Sequence, residues 1–148
     1  MLALRPSLRD ELRTEHHLML LVPAERGDIK VLETMLDCGF DPNTRDHDGV
    51  TPLHQAAMAG KPDTVRVLLS GGASVNALDG MFAGTPLVWA CEGWTRAQVG
   101  ADHVAVARQL LAAGSSREWK PPERAPNPER TQELLTELCL AADKARHP

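Results

Sequence analysis

Two seven-residue stretches of this 148-residue chain read almost as one line: Thr51-Pro52-Leu53-His54-Gln55-Ala56-Ala57 and, 34 positions on, Thr85-Pro86-Leu87-Val88-Trp89-Ala90-Cys91. Glycines keep a similar beat, with 33 residues from Gly27 to Gly60 and again from Gly39 to Gly72. A unit of that length cannot bury its apolar face alone. Stacking of neighbours must supply the core, so internal repetition decides the architecture.

The unit from Asp48 to Asp79 is the most regular. Thr51 offers a hydroxyl that can accept from an orphan amide at a helix start, and Pro52 fills the first helical position without losing a bond. This predicts a helix over about Pro52 to Ala59, in which small Ala56 and Ala57 allow close helix approach and Gly60 supplies the left-handed stop. After a turn at Lys61-Pro62-Asp63, Val65, Leu68 and Leu69 recur at helical spacing, and Gly71-Gly72 end the second helix. The segment Ala73 to Asp79 follows. These motifs and their period resemble the ankyrin repeat, a β-turn with two helices. The resemblance implies an all-α solenoid of helix-turn-helix units joined by β-hairpin-like arms, and an Asn76 side chain that ties down the turn backbone.

The flanking units depart from this pattern. The first keeps its second half, Gly27 to Gly39, but Leu18-Met19-Leu20-Leu21 replaces the Thr-Pro-Leu-His line and Pro23 replaces an alanine. Proline inside a helix is tolerated only in the first turn, so a break or kink just before Pro23 is expected. Pro6-Ser7-Leu8-Arg9-Asp10 reads as a capped helix start. The third unit is enlarged: Gly72 to Gly114 is 42 residues, nine beyond the period. One extra residue falls in the arm Gly80 to Gly84, and about eight fall between the two helices. Beyond it, Trp119 to Pro126 reads as an extended strap, and a helix restarts at Asn127-Pro128-Glu129 with Leu134, Leu135, Leu138, Cys139, Ala141, Ala142 and Ala145 on one broad face. That helix is read as a C-terminal cap, with docking on a partner or dimerisation as the alternative. The resulting division of one domain is 1–26, N-terminal cap and degenerate first helix; 27–47, the rest of repeat 1; 48–79, repeat 2; 80–116, repeat 3 with its insertion near 94–101; and 117–148, strap and cap. The arrangement also resembles C-terminal ankyrin modules of larger bacterial proteins, so a fragment is possible.

Composition narrows the function classes. Asp and Glu outnumber Lys and Arg by 20 to 16, giving a net charge of −4, and a phosphate-backbone footprint needs the opposite balance. No nucleic-acid partner is expected. The longest apolar run, Leu18 to Val22, is far short of the roughly 20 residues that span a bilayer, and its flanks lack a signal-peptide layout. A cytoplasmic monomer with no membrane partner is expected. Cys38, Cys91 and Cys139 are odd in number and widely spaced, which suggests neither disulfide framework nor zinc site.

The search for catalytic chemistry finds little. His16 and His17 are adjacent, about 100° apart on a helix, which suits solvation or capping rather than joint metal binding. Asp46-His47-Asp48-Gly49 lacks the further oxygen ligands of a calcium loop and reads as a hairpin tip. His54 is implied by the resemblance to make a structural hydrogen bond between neighbouring turns. Cys91 and His103 could be nucleophile and base, but Cys91 stands at the small core position of Ala57, where a neutral thiol is inert. No cofactor or metal is expected, and no enzyme.

Binding is what a solenoid of this kind offers, on the concave surface formed by its arms and first helices. Carried over position by position, the resemblance implies recognition through His47, Asp48 and Val50 on one arm, Met58 and Ala59 on a first helix, and Leu78 on the next arm. The third unit contributes Met81, Phe82, Glu92 and Gly93. Trp94 opens the insertion with Thr95, Arg96 and Gln98 behind it, and Trp and Arg are enriched among residues that dominate interfaces. For Trp94 and Phe82, partner contact and local packing both remain open. Three functions follow: a protein-binding adaptor first, a regulatory or architectural segment of a larger enzyme second, and a Cys91–His103 hydrolase or transferase last.

Overall fold

The computed structural model describes residues 14–97 and 99–145, which places the helix start at Pro6 to Asp10, and also Gln98, outside the described residues. Helices follow one another as α1 (Thr14–His17), a 3-10 turn (Leu18–Leu20), α2 (Leu21–Arg26), α3 (Ile29–Asp37), α4 (Pro52–Ala59), α5 (Pro62–Ser70), α6 (Pro86–Trp94), α7 (His103–Ala112) and α8 (Pro128–Ala145). Among the described residues there is no strand. The arms between helix pairs are turns closed by backbone bonds, Asp46 N–H to the Val50 carbonyl at 3.1 Å with Gly49 N–H to the Asp46 carbonyl at 2.9 Å in the first, and Asp79 N–H to the Gly84 carbonyl at 3.0 Å in the second. Gly80 N–H joins the second arm to the Asp48 carbonyl of the first at 2.7 Å.

Local chemistry starts and stops these helices. Thr51 and Thr85 each sit in extended backbone, accept the amide three residues on, and precede a proline in the first helical position. Pro23 lies in the first turn of α2, where a missing N–H leaves no helical bond unmade, and the tight 3-10 turn immediately before it is the break in the helix. His17 accepts the Asp41 amide at Nδ1, 2.7 Å away, and packs edge-on against Phe40, so this histidine is a structural plug under the first arm.

Helices α2, α4 and α6 form an inner row and α3, α5 and α7 an outer row, each packed on its neighbour. The inner row is close because its facing residues are small: Ala24, Ala56, Ala57, Ala90 and Cys91 are buried without exception. Gly93 completes the set, since a Cβ there would collide with the Met58 carbonyl of α4. Leucines and valines at Leu32, Leu53, Val65, Leu68, Leu87, Val106 and Leu110 fill the space between rows. Helix α8 closes the array by laying Leu134, Leu135, Leu138 and Cys139 against α6 and α7.

The arm asparagines differ in role from the sequence expectation. Asn76 ties down the following repeat rather than its own turn: its amide donates to the Gly114 carbonyl at 3.1 Å and its Oδ1 accepts the Ser116 amide at 2.8 Å. Asn43 makes the same pair with Gly72 and Ser74. Both side chains are inter-repeat staples, because each arm ends beside the C-terminus of the next outer helix and offers its unpaired backbone groups a partner.

Candidate functional site

The arm tips are set by two aspartates 33 residues apart. Asp46 Oδ1 accepts the amides of Asp48 and Val50, both at 2.9 Å, which curls the first tip. Asp79 does more: its carboxylate accepts the amides of Met81 (2.9 Å), Phe82 (2.8 Å) and Gly84 (2.7 Å), and the Trp89 indole N–H at 3.1 Å. Burial alone would raise the Asp79 carboxyl, but these four donors outweigh it and hold the group below the usual carboxylate range. The tip is a rigid, charged turn with no counter-cation required. On these scaffolds His47 stands out in solvent with its imidazole 3.3 Å from Asp48, while Leu78 and Met81 are 50% and 44% exposed.

Val50 is corrected here: it is 3% exposed and belongs to the core, because the Asp46 turn pulls its amide inward and carries the side chain with it. Met58 and Ala59 are half-buried at the end of α4 and line a groove of about 420 Å³ with Arg96, Gln55 and Lys61. Glu92 is half-buried and engaged, its Oε1 accepting the Thr131 hydroxyl of α8 at 2.9 Å. Gly93 is buried as the contact point of α4 and α6. Trp94 is half-buried and packs on the core edge; Phe82 is half-buried without joining that core, and Arg96 is exposed. The inserted loop after Trp94 is pinned at its far end, where Asp102 N–H reaches the Gly60 carbonyl at 2.9 Å and His103 Nε2 the Met58 carbonyl at 2.8 Å.

No activated nucleophile results from this arrangement. Cys91 is fully buried, its thiol donates to the Leu87 carbonyl at 3.4 Å, and burial pushes it up to about 12. His103 spends its Nε2 on the Met58 carbonyl, and its Nδ1 is buried without a hydrogen-bond partner. Among the described residues no group of three or more His, Cys, Asp or Glu side chains could hold a metal ion, and no helix is long and apolar enough to cross a membrane. His54 joins adjacent units as the resemblance implied: Thr51 N–H approaches Nδ1 at 3.2 Å, so Nε2 carries the proton and donates to the Gly84 carbonyl at 2.9 Å.

Helix pairs on a 33-residue beat, Thr-Pro caps and inter-repeat staples are a family's signature. The profile of the family described as ankyrin repeats, in three copies, matches residues 18–118, well over half of the chain. The chain is an ankyrin-repeat protein. Palmitoyltransferase Hip14 of Drosophila melanogaster is 36% identical over 89 residues, which are 60% of this chain and 13% of that protein. Protein fem-1 homolog A of Bos taurus is 43% identical over 49 residues, 33% of this chain and 8% of that one. Protein phosphatase 1 regulatory subunit 12A of Mus musculus is 44% identical over 50 residues, 34% and 5% respectively. The chain spans only a small part of the length of these relatives. Ankyrin repeats are a protein-interaction fold and the family is generally non-catalytic.

Beside the site residues read from sequence, this ankyrin array brings in several that sequence reasoning missed. Trp119 of the strap is 8% exposed and donates its indole N–H to the Phe82 carbonyl at 2.9 Å, clamping the third arm from behind. Asn127, Arg130 and Thr131 at the start of α8 join Phe82, Trp89 and Arg96 around a second groove. The signal for Trp119 was present, a tryptophan in a proline-rich stretch of a chain with 3 tryptophans and 2 phenylalanines.

Proposed function

We propose that this chain is a non-enzymatic module that holds a protein partner on the face made by its arm tips and its inner helices. The observation that carries the reading is the line of unpaired surface it leaves there. Leu78 and Met81 stand half-exposed on the arms, and Met58 at the end of α4 and Arg96 in the turn after α6 line a groove beside the inner helices. Rigid presentation lowers the ordering cost of binding, and Met adapts its shape to a partner. His47, Asp48, Ala59, Phe82, Glu92 and Trp94 flank the line. The double variant Leu78→Asp/Met81→Asp is expected to abolish capture of a partner from native lysate while its thermal midpoint stays within about 2 °C of the parent, since exposed positions change stability little. Unaltered capture, or a variant that unfolds, overturns the reading.

A second reading has its own support. The relatives carry the matching repeats as a minor part of much longer chains, one of them named as a palmitoyltransferase and another as a phosphatase regulatory subunit. On that reading the same face contacts a neighbouring domain of a larger regulatory protein. The full-length transcript decides between the two. A cytoplasmic, monomeric state belongs to the same proposal, supported by three unpaired thiols and an array capped at its C-terminal end by α8. Sedimentation and fractionation test it: a dimer, or recovery in a membrane or secreted fraction, refutes it.

A further inference from the structure

The geometry points to a peptide site: we propose that the groove between the third arm, α6 and the start of α8 takes a short segment of a partner protein bearing one large apolar side chain with carboxylates beside it. This rests on the reading of the chain as a binding module and narrows it to one site and one ligand chemistry. The groove encloses about 670 Å³, the size of sites that bury a few side chains rather than the flank of a folded domain. Met58, Phe82, Val88, Trp89, Trp119 and Leu134 contribute its lining.

The two indoles decide its polarity. Trp89 spends its N–H on Asp79 at 3.1 Å and Trp119 spends its own on the Phe82 carbonyl at 2.9 Å, so both rings offer the groove carbon alone. The polar handle that normally lets tryptophan bind polar ligands is already used. Val88 stands where His54 stands one unit earlier, which removes a further polar group from the lining. The floor therefore selects an aliphatic or aromatic side chain.

The rim sets the charge. Arg96 and Arg130 both line the groove; Arg96 makes no ion pair among the described residues, and Arg130 shares an exposed one with Glu133 at 3.4 Å. Glu92, the acidic group of the lining, is bonded to Thr131. Two guanidinium forks beside an apolar floor match a carboxylate-bearing segment, because Arg pairs with carboxylates in bidentate geometry. The strap and α8 add a wall to this groove; it shares Met58, Phe82 and Arg96 with the arm-tip face, while His47, Leu78 and Met81 lie outside its lining.

A random twelve-residue peptide library displayed on phage, selected on the intact chain, tests the assignment. Enriched peptides are expected to place a large apolar residue within two positions of Asp or Glu. A synthetic copy of the leading peptide, titrated into isotopically labelled protein, is expected to move the indole signals of Trp89 and Trp119. The Arg96→Glu/Arg130→Glu variant should bind it at least tenfold more weakly with an unchanged thermal midpoint, and the milder Arg96→Gln/Arg130→Gln pair keeps the comparison if the reversal unfolds the chain. No enrichment, a basic consensus, shifts that map elsewhere, or binding indifferent to both pairs overturns the proposal. So does a concentration-dependent dimer that the same variants dissolve, which would make a second copy the occupant. A protein partner that requires Leu78 and Met81 but tolerates the arginine variants overturns this site alone and leaves the general binding function standing.

Discussion

His54 shows how one side chain can fix the register of two repeats and tie it to pH. Its Nδ1 faces the Thr51 amide and hydroxyl and its Nε2 donates to Gly84, an arrangement that only the neutral ring can make. Burial is the main cause that lowers its pKa below 6.5; the Gly84 bond and the Asp79 charge oppose it, and Arg45 adds to the lowering. The folded chain then binds fewer protons than the unfolded one between the depressed value and about 6.5, so stability is full above that window and falls as pH drops through it. Thermal midpoints measured from pH 7.5 down to 5.5 should fall more steeply for the parent than for His54→Gln, and equal slopes would refute the role. The partner cap at Thr51 should cost about 0.5–2 kcal/mol on Thr51→Ala in urea unfolding. Cys91 supplies the contrasting residue. A thiol raised to about 12 in a fully buried site holds almost no thiolate at pH 8, so a maleimide should label it only at the rate of unfolding, and rapid native-state labelling would reopen a catalytic reading.

At the scale of elements, the strap and α8 turn an open repeat into a closed end. Their attachment is distributed: Trp119 to Phe82, the bidentate Arg117–Asp143 pair at 2.8 and 3.0 Å, Thr131 to Glu92, and a buried leucine face. Truncation before Asn127 strips the cover from α6 and α7 and should produce aggregation detectable by light scattering; a monomeric, equally stable product would show that α8 serves docking instead. Trp119→Phe keeps most of the packing but leaves the Phe82 carbonyl unpaired, so a loss of about 1 kcal/mol is expected, together with faster amide exchange at Phe82. These elements also show what a sequence reveals. The cap at Thr51 and the apolar face of α8 were legible because their causes lie within four residues or recur every turn. The reach of Trp119 was not, since its partner lies 37 positions away and no local period encodes it. Val50 was misread because a side-chain carboxylate, Asp46, sets which way that arm residue turns. Asn76 was read as local because its partners lie 38 and 40 residues on.

Across the whole molecule, the main helix contacts among the described residues join each repeat to its neighbours, so stability is a sum of unit and interface contributions rather than one shared core. The buried set is uneven along that line. Among the described residues, repeat 1 contributes Leu20, Ala24 and Leu32 to the core, repeat 2 Leu53, Ala56, Ala57, Val65 and Leu68, and repeat 3 with the cap contributes the rest, including Leu87, Cys91, Val106, Leu110, Leu135 and Leu138. Each buried large aliphatic side chain is worth roughly 1.5–3 kcal/mol in water exclusion, so among the described residues the apolar burial is heaviest in repeat 3 with its cap. Asn43 and Asn76 couple the units with matching pairs of hydrogen bonds, which leaves the apolar burial to set the order of opening. Native-state hydrogen exchange should therefore show α2 and α3 opening at lower free energy than α4 and α5, with α6, α7 and α8 protected to the global limit. Asn43→Ala should widen the gap by loosening the first interface, while Asn76→Ala should narrow it by loosening the second. A single opening free energy for all helices, unmoved by either substitution, would mean that the array behaves as one cooperative block and that the candidate site at its C-terminal end gains nothing from sitting on the best-packed unit.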